Sequence, residues 1–102
     1  MLCRAYFANI IEKHVCDERF IRMAKAMGME DASDPMDFIK VLNKLLEDCS
    51  VADLKMSDYG ISPDEFPKMA DNAMGQMGGL FACDRVQLTR EDCISIYEKS
   101  YR

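Results

Sequence analysis

Three helix-start signals constrain this chain more than any other feature of it. They are Asp34-Pro35, Ser62-Pro63-Asp64-Glu65 and Thr89-Arg90-Glu91-Asp92. The first turn of a helix leaves backbone N–H groups without intrahelical partners, and an Asp, Ser or Thr oxygen placed before it satisfies them. Proline fits the first helical position because its missing N–H would have had no partner there. Ser62 followed by Glu65 has the spacing of a capping box. Apolar residues recur at helical spacing after each signal, and no stretch alternates as a strand would. The pattern predicts an all-α fold, a small bundle of about five helices forming one domain over residues 1–102.

The first helix is predicted from about Leu2 to Val15, with Leu2, Cys3, Tyr6, Phe7, Ile10, Ile11 and His14 on a wide apolar face. It has no N-terminal cap signal and reads as a helix entered part-way. The second is predicted from about Glu18 to Met27, with Asp17 as its N-cap, a stripe of Phe20, Met23, Ala24 and Met27, and Gly28 closing it. The third runs from Asp34-Pro35 to about Asp48, with Phe38, Ile39, Leu42, Leu45 and Leu46 facing inward. Residues 49–62 read as a connector. Pro67 is expected to split a short first turn from the fourth helix, whose inner side is Phe66, Met69, Ala70, Ala73, Met74 and Met77. Gly78-Gly79 reads as its stop, with a loop through Phe81, Cys83 and Arg85 before the fifth helix. That last helix is expected to turn Cys93, Ile94, Tyr97 and Tyr101 inward.

Length and charge narrow the function classes. Among 102 residues, 49% are hydrophobic, enough for a core. No apolar run approaches the roughly eighteen residues of a membrane span, and no secretory signal opens the chain, so the expectation is a cytoplasmic protein without a membrane partner. With 13 Lys and Arg against 18 Asp and Glu, the net charge is −5, which argues against nucleic acid as a partner. The five cysteines, Cys3, Cys16, Cys49, Cys83 and Cys93, include no C-x-x-C pair and read as reduced, mostly buried thiols.

The catalytic inventory is short. His14 is the only histidine, so His-rich metal motifs are excluded. Residues two apart on a helix point to different sides, so His14 and Cys16 make a poor nucleophile pair, and a helix-end histidine near Glu12 or Asp17 is the plainer reading. Asp64-Glu65 and Glu91-Asp92 sit where first-turn carboxylates favour the helix dipole, which accounts for them without acid–base chemistry. Gly75, Gly78 and Gly79 match neither a P-loop nor a dinucleotide fingerprint. From the residues, then, no catalytic, cofactor-binding or metal site is assigned. A helical interaction module and one piece of a larger enzyme both remain open.

Longer motifs favour the second. The stretch Tyr59-Gly-Ile-Ser-Pro-Asp-Glu-Phe-Pro-Lys-Met-Ala-Asp-Asn-Ala-Met74, then Gly78-Gly-Leu-Phe-Ala-Cys-Asp-Arg85, then Leu88-Thr-Arg-Glu-Asp-Cys-Ile-Ser-Ile-Tyr-Glu98, resembles the end of the iron-containing (group III) alcohol dehydrogenases. Arg19-Phe-Ile-Arg-Met-Ala-Lys-Ala-Met-Gly28 is similar to a segment upstream of it in the same family. The resemblance spans nearly the whole chain and keeps the order of elements.

The resemblance implies the C-terminal helical part of the dehydroquinate synthase-like fold. It implies a parent enzyme that interconverts alcohols and aldehydes with NAD(P) and ferrous iron, the iron held by one Asp and three His. This sequence begins after the family's last His-Gly ligand motif and carries neither those ligands nor the nucleotide domain, so it reads as a fragment expected to be inactive alone. The family's cleft lies near the loop that corresponds here to Gly78, Gly79 and Phe81, which makes these three candidate substrate-cleft residues. Without an upstream domain over it, the first helix is expected to pair with a second copy, giving a dimer.

Overall fold

The computed structural model describes the whole of Met1–Arg102 and is all-helical. Five α-helices follow in order: α1 (Cys3–Glu12), α2 (Asp17–Ala26), α3 (Asp37–Asp48), α4 (Phe66–Cys83) and α5 (Arg90–Ser100), with short 3₁₀ turns at Met56–Tyr59 and Pro63–Glu65. No helix is long and apolar enough to cross a membrane.

The helix ends follow from local chemistry. The Ser62 hydroxyl accepts from the Asp64 N–H, and the Glu65 carboxylate accepts from the Ser62 N–H, closing the expected capping box. It starts a 3₁₀ turn, and α4 proper begins at Phe66 with Pro67 in its first turn. Thr89 and Asp92 form a second box at the head of α5. At the head of α3, Asp34 Oδ1 accepts from the Met36 N–H at 2.8 Å. Asp37 returns a carboxylate oxygen to the N–H groups of Ser33 and Asp34, each at 3.1 Å. Gly28 follows α2 at φ 109°, a conformation in which a Cβ would be strained.

Packing sets the helices in the spatial order α2, α3, α1, α5, α4, with α1 between α3 and α5. The result is a slab of 41 × 31 × 18 Å. A body only 18 Å thick has little interior, and 16 of its 102 residues are buried. Phe7, Phe20 and Phe38 tie α1, α2 and α3 together edge to face, with Phe7 and Phe38 centroids 5.2 Å apart. Phe66 stacks on Tyr97 at 5.7 Å and meets Tyr101 edge-on, joining α4 to α5. Such contacts add about 1 kcal/mol each beyond their burial.

The thinness accounts for several departures from the sequence reading. Met23, Met27, Leu45 and Met77 lie exposed although each falls on an apolar stripe. On α5 the inward residues are Cys93 and Ile96, while Ile94, Tyr97 and Tyr101 are half-buried. Only Cys93 is a buried thiol; Cys3 and Cys16 are half-buried and Cys49 and Cys83 exposed. Asp17 opens α2 from inside, with Cys16 before it providing no side-chain cap. On α1, Ile10 and Ile11 are buried within the chain, and His14 lies beyond the helix at φ 54°. The face left open on that helix is thus narrower than the sequence suggests.

The largest departure is in α4. Gly78-Gly79 does not end it. The chain leaves helical geometry one residue earlier, at Met77 (φ −123°, ψ 24°), and resumes as helix through Gly78 and Gly79 to Cys83. Neither glycine has positive φ, so neither forms the left-handed stop that the pair suggested. Phe81 and Cys83, expected in a loop, are helical.

Candidate apolar groove

The broken end of α4 lies against α1 and α5 and leaves a groove of about 470 Å³. α1 contributes Leu2, Cys3, Tyr6 and Phe7. The last turns of α4 contribute Leu80 and Phe81, with Asp84 just beyond them. Leu88 and α5 residues Cys93, Ile96 and Tyr97 complete the wall. Ten of the eleven lining residues are hydrophobic, so the groove offers an apolar body almost no competing polar partner. Phe81, one of the three cleft candidates, lines it; Gly78 and Gly79 do not.

One polar link crosses the groove. The Tyr6 hydroxyl of α1 donates to Asp84 Oδ2, joining residues 78 positions apart. The other Asp84 oxygen accepts from the Arg85 N–H at 2.7 Å. Burial, then the bond to Asp84 and its charge, pushes the Tyr6 phenol up to about 12. Burial also raises the Cys93 thiol and the Tyr97 phenol. These shifts keep Tyr6, Cys93 and Tyr97 protonated at neutral pH. The arrangement is suited to receiving and orienting an apolar molecule.

His14 is outside this region. It is exposed, and its Nδ1 lies 3.1 Å from Asp17 Oδ2, the helix-end pairing expected from sequence. The first-turn acids behave likewise: Glu65 and Asp92 cap their helices, and hydrogen bonds from Thr89 hold the Asp92 carboxyl below the usual range. Nowhere in the chain do three His, Cys, Asp or Glu side chains come together as metal ligands. The residues present therefore do not fit an iron centre, which needs several such donors converging on one point. Non-local contacts were invisible to sequence reasoning, and the Tyr6–Asp84 link is the clearest of them. No local spacing rule connects residues so far apart.

A thin row of five helices with one apolar groove between α1, α5 and the end of α4 defines a small all-helical domain. The comparisons place it more narrowly. The model of the Fe-containing alcohol dehydrogenase family, C-terminal, matches residues 3–101, and the chain belongs to that family, in its C-terminal part. No curated protein and no solved structure matches the chain.

Proposed function

We propose that this chain is the C-terminal helical part of an iron-dependent, NAD(P)-dependent alcohol dehydrogenase, and that it has no turnover by itself. The match over residues 3–101, which takes in all five helices, is the observation that carries the reading. In the parent enzyme, hydride moves between the nicotinamide and an alcohol carbon, and the metal polarises the oxygen as a Lewis acid. This chain's own part would be structural and steric: α1 and α5 form one side of a cleft, and the end of α4, with Phe81, the other.

The family match favours this over a free-standing interaction module. The DNA upstream of the Met1 codon tests it. In-frame codons for a His-Gly motif, for further metal ligands and for a nucleotide-binding domain are expected. An ordinary promoter and ribosome-binding site directly before Met1 would overturn the dehydrogenase reading and favour a separate protein.

A further inference from the structure

Independently of the dehydrogenase reading, we propose that a second pocket, between the start of α1, α3 and the end of α5, binds a small phosphate ester. Its volume of about 350 Å³ falls in the range of small-ligand sites. Arg4 of α1, Lys99 in the last turn of α5 and Arg102 just beyond it line the pocket together, and no Asp or Glu does. The chain as a whole carries −5, so three cations around one acid-free pocket run against its overall balance. Cations at the carbonyl end of a helix offset its dipole, which accounts for Lys99 and Arg102. It does not account for Arg4, which comes from the first turn of another helix, where the dipole disfavours a cation.

The two guanidinium groups are held in place by bonds that leave their charge uncompensated. Arg4 Nη1 donates to Asn43 Oδ1 at 3.4 Å, and Arg102 Nη2 donates to the Ala52 carbonyl at 2.7 Å, both neutral acceptors. The Ser57 N–H donates to the Arg102 carbonyl at 3.1 Å and fixes the backbone there. Glu47 and Asp53 line a neighbouring pocket that shares Arg4 and Arg102, yet neither arginine is ion-paired. The one acid paired with any of the three cations is Glu12, which meets Lys99 at 3.4 Å on the open surface, where such pairs are weak. A guanidinium fork matches phosphate oxygens two at a time. A phosphate monoester brings about two negative charges and three oxygens to these cations, where a carboxylate brings one charge and two oxygens. The floor of Ala5, Ala8 and Ile39 is apolar, so the carbon body of an ester covers surface that inorganic phosphate would leave wet.

The test is an NMR titration of the ¹⁵N-labelled chain at low salt with phenyl phosphate, glycerol 3-phosphate, inorganic phosphate and benzoate. Saturable shifts are expected at Arg4, Ala5, Ala8, Ile39 and Lys99, with affinity falling severalfold in about 0.5 M NaCl. Both esters should bind at least about fivefold more tightly than inorganic phosphate and benzoate, and the tighter of the two tells an aromatic from a polyol source of the phosphate. Arg4→Gln and Arg102→Gln should each weaken phenyl phosphate about tenfold. Glu12→Gln, which frees Lys99, should strengthen it about two- to threefold. Arg22→Gln removes the same charge from the exposed side of α2, at the far end of the row, and should change affinity by no more than about 1.5-fold. Glu12, Arg22 and Arg102 are exposed, so these three variants keep the fold even if Arg4→Gln does not. The absence of saturable shifts at these amides would overturn the proposal. So would equal affinity for the esters, inorganic phosphate and benzoate, or weaker binding in Glu12→Gln. An equal loss in Arg22→Gln and Arg102→Gln would also overturn it, by reducing the effect to net charge.

Discussion

Removing the Tyr6 hydroxyl tests the bond that closes the groove. Tyr6→Phe keeps the ring, which sits edge-on to Phe7 at 5.2 Å, and deletes only the donor to Asp84. A hydrogen bond to a charged group contributes about 1.5–3 kcal/mol when well shielded. Both partners here are half-buried, so a loss of about 1–2 kcal/mol is the working figure. For a domain of this size that corresponds to a drop in Tm of roughly 5–15 °C. Urea unfolding of wild type, Tyr6→Phe, Asp84→Asn and the double variant gives the coupling directly. The pH dependence carries an independent signature. The phenol is raised in the folded state, from 10.0 to about 12, so its contribution is complete below pH 10 and is lost as pH rises through 12. The stability advantage of wild type over Tyr6→Phe should therefore be flat from pH 7 to 9.5 and shrink above it. A Tyr6→Phe variant within about 0.3 kcal/mol of wild type, with parallel pH curves, would show that α1 and the end of α4 are not joined by this bond in solution.

Other outcomes follow from the same geometry. Gly75→Ala, in helical backbone with open space around it, should stabilise by about 1 kcal/mol, whereas Gly28→Ala, at φ 109°, should destabilise despite equally open space; chemical denaturation reads both signs. Asp37 is held below its ordinary value first by the Ser33 and Asp34 N–H groups and then by Lys40, so the stability it adds is present above about pH 4 and lost as pH falls; Asp37→Asn should lower Tm at pH 7 and flatten the acid limb. Under native conditions a thiol reagent should label Cys49 and Cys83 fast and Cys93 slowly, its thiol being buried and raised; equal rates at all three would mean that α5 does not pack against α1 as described.

How much of this was legible in the sequence depended on range. Ser62 and Thr89 act within four residues of themselves, and their caps could be read directly. Gly28 was legible for the same reason, because a helix ends there in a conformation that glycine tolerates best. Asp34 was expected to cap the third helix, but α3 starts at Asp37 after Met36, and Asp34 accepts from the Met36 N–H in the turn before it. Gly78 and Gly79 misled because glycine permits a stop without imposing one, and here both keep helical backbone beyond the break at Met77. Periodicity placed Phe20, Phe38 and Phe66 in the core and overcounted Met23, Met27 and Leu45, because a stripe gives direction and not depth. Depth depends on the thickness of the assembled slab, which no helix encodes alone. Met56, buried at 3% exposure, went unseen because its 3₁₀ turn is too short to show a period. Of the candidate site, Phe81 was legible through family likeness, and Tyr6, Leu80 and Asp84 required the fold.

The central proposal is that this chain, which belongs to the C-terminal part of the iron-containing alcohol dehydrogenase family, has no turnover by itself. The most direct measurement loads the purified chain anaerobically with ferrous iron, determines bound metal by elemental analysis, and follows NADH and NADPH oxidation with a series of aldehydes. The account predicts iron far below one equivalent per chain and oxidation at the rate of the protein-free control. Stoichiometric iron together with aldehyde-dependent cofactor oxidation that scales with protein concentration would contradict it.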